Sequence, residues 1–435
     1  MMSINIWKEN VEKFFIWFIL LQPLLDISAY FGLPVSEVIR VIAFGLGFIY
    51  LLFLAKVDKK TYLYLALLIV YTLIHISVNF FIKEPYSFME EIVYTVKTIY
   101  FIILLLVYLK VFQAFQSNPN WKRIIYRNVA ISISIIIIVL GIAEITDTGR
   151  RSYDMLAKSG HTGWFFSGNE LSAILAMGIA FFTYQIILLS TKSKTWAWIS
   201  VIPLFFISWA MMTIGTKVGF GALLTITLFM VAYLVYLSFK QRKIHTHLRI
   251  WIIVFVGIIA FTPITAIGQN LNISYPENLN LPSKMVKKNA EMDTDLVPVR
   301  VLSGREDFLN EAMSQFKDAP LVQKVFGMGI GGNYKKEVKL VEMDFFDIFF
   351  NFGIIGFLLF TIPVIYLLWN IIKNVYRAKK ITLEVALLIV SIGLGLGSAF
   401  VAGHVLSSPA ASFYLAIAIA FCVAITFQWK ARRYS

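Results

Sequence analysis

Long apolar runs constrain this chain more than any other feature. Runs long enough to cross a bilayer as helices recur along its whole length, and about twelve can be counted. They lie at residues 14–32, 36–55, 61–82, 88–110, 124–146, 168–190, 195–212, 216–239, 249–268, 345–372, 382–402 and 408–428. The sequence therefore predicts an all-α polytopic membrane protein with about twelve transmembrane helices.

Composition agrees with a membrane location. Hydrophobic residues make up 59% of the 435 positions, which is more apolar surface than a soluble domain can hide. The single cysteine, Cys422, lies inside an apolar run, so neither a disulfide framework nor a cysteine-based metal site is expected. The net charge of +14 fits basic cytoplasmic loops better than nucleic-acid binding, and no nucleic-acid partner is predicted.

The loops predict an orientation in the cytoplasmic membrane. Basic segments such as 56–60, 240–249 and 373–380 recur at every second connection, which places them and both termini in the cytoplasm. Lys8 and Lys13 precede an apolar run that resembles a signal peptide. Because no small-residue cleavage site follows, we expect this run to be a retained first span.

One long polar stretch interrupts the spans. Residues 269–344 carry four prolines and are too polar to cross a membrane, so we expect an extracytoplasmic subdomain that contains short helices. The chain then divides into nine transmembrane helices over 1–268, the outer loop over 269–344, and three further helices over 345–435.

Charged residues within the predicted spans are concentrated in the outer halves or at the outer rim. The set comprises Asp26, Arg40, Lys97, Glu144, Asp147, Glu170, Lys217, Asp344 and Asp347. A transporter of a polar solute needs polar groups at the midplane and on both sides of it. An enzyme that acts on a lipid-linked substrate from outside needs them in the outer leaflet alone. The distribution favours the enzyme, and interfacial snorkelling is the alternative for each residue.

The stretch TIGTKVGFGAL, residues 213–223, places Lys217 at the outer start of an inward-running helix. Thr216 is a candidate N-cap. Free amides, the positive end of the helix dipole and the lysine then converge at one point, where a phosphate group would bind. The alternative is a capped helix with a snorkelled lysine.

The stretch SGREDFLNEAMSQF, residues 303–316, predicts an amphipathic helix in the outer loop. Ser303 and Glu306 have capping-box spacing, and apolar residues recur at helical spacing after them. Arg305 in the first turn opposes the helix dipole unless an anion compensates, and its planar guanidinium suits bidentate phosphate binding. A salt bridge to Glu306 or Asp307 is the alternative.

Two carboxylates precede the tenth span in VEMDFFDIFFNFGIIGF, residues 341–357. Glu342 and Asp344 stand at the outer mouth of this helix, and either one is a candidate general base. Both are equally candidates for helix-start acids that complement the dipole. The glycines of the segment permit close helix packing. The preceding glycines of residues 327–332 are expected to form a turn and not a dinucleotide site.

A further group of polar residues lies in the outer loop and helix start at 149–175. The candidate substrate-binding residues are Arg150, Arg151, Lys158, His161 and Asn169, with Lys97 and Arg40 as support from neighbouring helices. They would hold a second lipid-linked glycan or an anionic sugar. The alternative is a solvated loop followed by an Asn or Ser cap.

The sequence shows no HExxH, CxxC or nucleotide-binding loop, so the predicted site has no metal and no cofactor. A substrate for such a site would itself have to be activated by a good leaving group. A polyprenyl-diphosphate sugar fits, because its lipid lies in the leaflet, its diphosphate meets cations at the interface and its glycan faces outward.

Together these motifs resemble the O-antigen ligase and polymerase superfamily of membrane glycosyltransferases, whose members have about twelve spans and a long outer loop before the last few helices. GWFFSGNELSAIL resembles the family's glycine-to-asparagine entry to a mid-chain helix. TIGTKVGFGALL resembles its T-x-S-R-G-A helix start, and SGREDF its outer-loop Ser-Gly-Arg. EMDFFDIFFNFGIIGF resembles the pattern that ends that loop.

The resemblance implies roles for individual residues. Arg305 would bind the donor diphosphate, and Lys217 would do so where the family usually has arginine. Glu342 stands where the family has a proposed catalytic histidine, and Met343 replaces an asparagine. These departures favour a polysaccharide polymerase of the kind found in Gram-positive bacteria over lipopolysaccharide ligation.

The implied partners are a polyprenyl-diphosphate-linked glycan donor, a glycan acceptor, membrane lipid and the other proteins of a polysaccharide-assembly complex. The enzyme would work at the outer face of the cytoplasmic membrane. A flippase or transporter of the same lipid-linked glycans is the alternative.

Overall fold

A computed structural model describes residues 2–84, 86–153, 158–191, 193–272, 305–333 and 340–434. The helices are α1 (Met2–Tyr30), α2 (Val35–Ile49), α3 (Lys59–Ile82), α4 (Phe88–Phe115), α5 (Trp121–Ile145), α6 (Gly168–Ser190), α7 (Lys194–Ile199), α8 (Val201–Thr213), α9 (Lys217–Gln241), α10 (Thr246–Phe261), α11 (Ala266–Asn272), α12 (Arg305–Asp318), α13 (Leu321–Phe326), α14 (Asp344–Ala378), α15 (Leu383–Val401) and α16 (Pro409–Tyr434). A π-helix, Tyr50–Leu54, extends α2, and a 3-10 turn, Thr262–Ile264, extends α10. Two short antiparallel strands, β1 (Arg150–Arg151) and β2 (His161–Gly163), form a hairpin between α5 and α6.

The prediction of an all-α polytopic membrane protein is confirmed. Eleven helices within the described ranges are long and apolar enough to cross a membrane. The first predicted span, α1, is not among the eleven. It nevertheless runs parallel to α5 and contacts it near both ends of that helix. Asn128 donates to the Ile16 carbonyl at 3.0 Å near the start of α5, and Tyr30 donates to the Thr148 carbonyl at 3.1 Å beyond its end.

The bundle has two chemically different ends. The loop end, as we call it, carries the connection between α5 and α6, residues 340–343, and the turn 402–408 between α15 and α16. The basic end carries the lysine-rich and arginine-rich connections at the other ends of these helices. This contrast agrees with the predicted orientation, but which membrane face each end meets stays a prediction. The division of the chain at residues 268 and 344 also stays a prediction, since 273–304 and 334–339 lie outside the described residues.

Helices α16 and α6 lie at the centre of the bundle. Of their membrane-spanning windows, 89% and 78% are buried, compared with 28% in α3 and 22% in α10, which lie at the periphery. Alanine recurs along α16, and such small side chains let neighbouring helices approach closely.

Helix α14 is broken at Gly353, where the backbone turns to φ 64° and ψ −173°. The break frees carbonyl groups that lipid could not satisfy. The N–H groups of Met328 and Gly329 donate to the Phe350 and Asn351 carbonyls at 3.1 and 3.0 Å. These donors belong to the glycine stretch 327–332, whose predicted turn is confirmed by positive φ angles at its four glycines.

Side chains from α3 and α4 hold this glycine turn in place. Lys83 and Glu91 form a buried ion pair at 2.5 Å, and each side chain is 1% exposed. Both groups also bind the backbone of Ile330: Glu91 accepts from its N–H at 3.0 and 3.1 Å, and Lys83 donates to its carbonyl at 2.7 Å. Tyr71 on α3 donates to the Phe352 carbonyl at 2.5 Å, beside the break. The break is therefore enclosed by protein and not by lipid.

Replacing Gly353 should destabilise the whole fold. A Cβ atom there would lie 2.4 Å from the Gly327 nitrogen and 2.7 Å from the Val325 carbonyl oxygen, and both neighbours are backbone atoms. Strain in this backbone region alone costs about 1–3 kcal/mol, so we expect Gly353→Ala to lower stability by at least about 2 kcal/mol. Thermal unfolding of the protein in detergent measures this loss.

Gly393 on α15 provides a matched control, because nothing lies within 4 Å of the Cβ that alanine would add. Gly393→Ala should change stability by no more than about 1 kcal/mol. Equal unfolding temperatures for the two variants would contradict the proposed role of the break.

Candidate functional site

Arg305 and Glu342 meet at the loop end. Arg305 begins the amphipathic helix α12, which confirms the predicted helix, although the proposed capping residue Ser303 lies outside the described part of the chain. Its Nη2 atom lies 3.3 Å from Glu342 Oε2. The Arg305 side chain is 12% exposed and that of Glu342 is 44% exposed. The cation is therefore largely enclosed, while the carboxylate remains open to a ligand.

The backbone holds Glu342 in an unusual conformation. Its φ of 60° lies in the left-handed region, which a residue with a side chain adopts only where its surroundings impose it. Asp347 imposes it from one side, because its carboxylate accepts from the N–H groups of Val341 and Met343 at 2.8 and 3.1 Å. Gly403 packs against the Glu342 carbonyl from the other side. The geometry thus fixes the carboxylate beside α12.

Asp344 has a different environment from Glu342. Its side chain is buried and accepts from the N–H groups of Val405 and Leu406 at 2.7 and 2.8 Å and from the Ser407 hydroxyl at 2.9 Å. A carboxylate with this many donors holds the turn between α15 and α16 and has little capacity left for a substrate proton. Of the two predicted bases, Glu342 is the accessible one.

His404 is a residue that sequence reasoning did not assign to the site. It is half-buried, its φ is 56°, and its charge acts on Asp344. It follows Gly403, which contacts the Glu342 backbone. No local motif in the sequence connects His404 to residues 342–344.

Lys158 is an electrostatic neighbour of Arg305. Partial burial and the positive charge of Arg305 both lower the pKa of the Lys158 ammonium. The Lys158 nitrogen lies 4.8 Å from the centre of the Tyr153 ring. The two positive charges repel each other, and an anion bound near both would relieve the repulsion.

Lys217 occupies the predicted helix start but stands apart from this pair. The predicted N-cap is confirmed, because Thr216 Oγ1 accepts from the Gly219 N–H at 3.1 Å. The loop that carries Lys158 is tied to the same turn, since Tyr153 donates to the Gly215 carbonyl at 3.2 Å. Lys217 itself is exposed, and no contact joins it to Arg305 or Glu342 in the part of the chain that the structure describes.

The remaining loop cations lie on the β-hairpin. Arg151 donates from Nη2 to the Lys158 carbonyl at 3.0 Å, which joins it to the Arg305 cluster. Arg150 lies over the Phe166 ring, 5.4 Å from its centre, and both residues are exposed. The structure therefore brings Arg151 close to the central residues and directs Arg150 to an aromatic neighbour.

Two predicted binding residues lie next to local structural elements and not next to Arg305. His161 on β2 contacts Glu144 at the end of α5 through Nε2. Asn169 lies in the first turn of α6, whose N-cap is Ser167, which accepts from the Glu170 N–H at 3.3 Å. Neither residue is brought into contact with Arg305.

A second polar cluster at the loop end contains Arg40 and Lys97. Arg40 Nη2 lies 2.5 Å from Asp26 Oδ1, and the charges of Arg40 and Lys97 act on the Glu170 carboxylate. Ser408 donates to the same carboxylate. Because Ser408 directly follows the residues that bind Asp344, the turn 402–408 connects the two clusters.

Comparison with known protein families gives one match. Residues 8–279 and 278–426 match the family described as O-antigen ligase like membrane protein. The match covers both polar clusters and nearly all of the bundle. No curated protein matches the chain.

The proximity of Lys158 to Arg305 can be tested through the chemistry of the lysine. A lowered pKa leaves a larger fraction of the amine neutral and nucleophilic at a given pH. Arg305→Gln removes the neighbouring charge and should raise the pKa of Lys158, so acetylation of Lys158 at a fixed mildly alkaline pH should slow. Competitive labelling followed by mass spectrometry measures the rate.

Two controls accompany this measurement. Arg305→Lys keeps the positive charge and should leave the labelling of Lys158 close to that of the unchanged protein. Lys317, exposed at the far end of α12, should label equally in all three proteins. Unchanged labelling of Lys158 in Arg305→Gln would place the two cations out of electrostatic reach.

Proposed function

Since the chain belongs to the family of O-antigen ligase-like membrane proteins, we propose that it transfers or polymerises glycans carried on polyprenyl diphosphate. The family suggests ligation or polymerisation of glycans in a membrane. The finer proposal places the reaction at the outer face of the cytoplasmic membrane, with both termini inside. The arrangement of Arg305, Glu342 and Lys158 at the loop end supports it.

The proposal rests on the guanidinium of Arg305, whose hydrogen-bond donors are only partly satisfied. Its Nη2 atom reaches Glu342 at 3.3 Å, slightly longer than an ordinary hydrogen bond. Its Nε atom is buried and has no hydrogen-bond partner within the described ranges. A buried donor without a partner is costly, and a diphosphate oxygen would satisfy it while a second oxygen binds Nη2.

Lys158 completes this anion site. Its ammonium is a compact point charge, whereas Arg305 offers a planar fork, so the two would bind different oxygens of one diphosphate. Binding the anion would also remove the repulsion between the two cations. Lys217, at the capped start of α9, would contribute a third positive charge at the entrance.

In the proposed reaction the acceptor hydroxyl attacks the anomeric carbon of the donor sugar. A new glycosidic bond forms, the bond from that carbon to the diphosphate oxygen breaks, and polyprenyl diphosphate leaves with the electron pair. Arg305 and Lys158 stabilise the negative charge that develops on the leaving oxygen. Glu342 accepts the proton of the hydroxyl.

Substrate binding would also prepare the base. In the structure Glu342 is engaged by Arg305. When a diphosphate takes over the guanidinium, the carboxylate loses this partner and becomes available to the acceptor. Asp344 and Asp347 would act as positioning residues, because their hydrogen bonds fix the backbone on both sides of Glu342.

The other cations would serve the glycans. Arg150 and Arg151 on the hairpin are exposed where a second lipid-linked glycan or an anionic sugar would pass. Arg40 and Lys97 would support the site from α2 and α4 through the turn 402–408. The nature of the acceptor decides between polymerase and ligase, and we favour a polymerase within a polysaccharide-assembly complex.

Substitutions at the central pair should remove activity without unfolding the protein. Purified protein in detergent, given polyprenyl-diphosphate oligosaccharide, should produce longer glycan and free polyprenyl diphosphate. Arg305→Lys keeps the charge but loses the fork, and we expect a loss of about 10²–10³-fold in kcat. Glu342→Gln removes the base and should cost about 10²–10⁴-fold.

Lys317→Ala, on the same helix as Arg305 but exposed at its far end, should retain full activity. The proposal fails if no glycosidic bond forms while labelled lipid-linked glycan crosses proteoliposomes, since that result identifies a flippase. Normal polymer output from Arg305→Ala would instead indicate a scaffold.

A further inference from the structure

A small cavity lies at the basic end, far from the polar clusters of the loop end. It occupies about 160 Å³ between α1, α4 and α5. Its walls are formed by Lys13, Ile16, Trp17, Phe115, Ile124, Arg127 and Asn128. The lining combines apolar side chains with the side chains of two exposed cations, Lys13 and Arg127. We call this feature the basic-end slot.

Neither cation of the basic-end slot is neutralised within the described part of the chain. Lys13 and Arg127 are both exposed, and no carboxylate lies within 4 Å of either. The nearest acid along the chain, Glu12, accepts from the Tyr50 hydroxyl at 2.9 Å and pairs with Lys8 at 3.7 Å. Two exposed cations therefore line the same cavity without a carboxylate partner among the described residues.

The arginine is held in position before any ligand arrives. Arg127 donates from Nε and Nη2 to Asn128 Oδ1 at 3.4 and 3.3 Å, which are long and weak bonds. Asn128 is buried and donates to the Ile16 carbonyl at 3.0 Å, so it is fixed to α1. The guanidinium therefore contacts, through Nε and Nη2, the side chain of Asn128, which lines the same slot.

The depth of the basic-end slot matches the boundary between headgroups and acyl chains. Phe115 ends α4 and Arg127 lies near the start of α5, so the slot sits close to the ends of two spanning helices. Trp17 is 61% exposed, and tryptophan is enriched at this level of a bilayer. The cavity has room for a segment of an acyl chain but not for a whole lipid.

We propose that the basic-end slot binds an anionic membrane phospholipid, with the phosphodiester between Lys13 and Arg127 and an acyl segment in the cavity. Basic pockets between membrane helices suit anionic headgroups because charge attraction and apolar burial act together. A soluble phosphate would use the two cations but leave the apolar walls uncovered. A lipid covers both.

Native mass spectrometry of the protein in detergent tests this proposal with phosphatidylglycerol as the probe. One phosphatidylglycerol should bind more tightly than phosphatidylcholine, whose choline cancels the phosphate charge. Surface attraction amounts to about a 5-fold change in affinity for each cation, so Lys13→Gln combined with Arg127→Gln should weaken this binding about 25-fold. Both substitutions leave the buried Asn128 in place.

A matched pair of substitutions distinguishes binding in the basic-end slot from general electrostatic attraction of the lipid to the basic end. Lys240 and Lys243 lie at the same end of the bundle but do not line the slot. Lys240→Gln with Lys243→Gln should therefore leave the tight binding unchanged. Equal losses in the two double variants, or no preference for phosphatidylglycerol, would overturn the proposal.

A second arm distinguishes a lipid from a free phosphate group. Glycerophosphoglycerol, the soluble phosphodiester counterpart of the headgroup, should fail to displace phosphatidylglycerol at equal concentration. Full displacement would show that the apolar walls contribute nothing and would overturn the lipid assignment. This readout does not depend on glycan transfer, so its outcome is separate from the proposed function.

Discussion

The break in α14 is the constraint on which the loop end depends. A helix that stops within a membrane exposes carbonyl groups, and these must find donors in the protein. Here the donors come from the glycine turn 327–332 and from Tyr71. Lys83 and Glu91 hold this glycine turn in place by binding the backbone of Ile330. One buried ion pair thus supports a turn, and the turn supports the broken helix.

The segment of α14 before the break positions the residues of the site. Phe349 and Phe350 on that segment pack against Phe316 of α12, with ring centres 5.1 and 5.5 Å apart. This packing holds α12 against α14. It places Arg305, at the start of one helix, beside Glu342, just before the other. An apolar contact and a backbone break therefore set the distance between two charged groups.

Sequence reasoning found the parts of this arrangement but not their pairing. Hydropathy predicts the spans because a bilayer demands long apolar helices, and local spacing predicts the amphipathic helix at Arg305 and the cap at Thr216. The pairing of Arg305 with Glu342 joins residues 37 positions apart, whereas the salt bridge considered as the alternative to phosphate binding was to the adjacent acids. The ion pair of Lys83 and Glu91 was not predicted at all. Its function is to bind Ile330, which lies 239 residues beyond Glu91, and no local pattern contains that information.

Glu342, which stands where the family resemblance implies a histidine, has a consequence for the proposed chemistry. The resemblance to the O-antigen ligase and polymerase superfamily implies a histidine at this place, and a neutral imidazole would bring no negative charge to an arginine. A carboxylate does, so Arg305 and Glu342 pair while the site holds no substrate. In the proposed function the incoming diphosphate would then compete with Glu342 for the guanidinium, which would cost some donor affinity. In return, the proposed base would be freed only when the donor is bound, and an acceptor or water molecule would meet an active carboxylate only in the loaded site. The carboxylate would therefore couple proton transfer to donor binding in a way that a histidine at the same position would not.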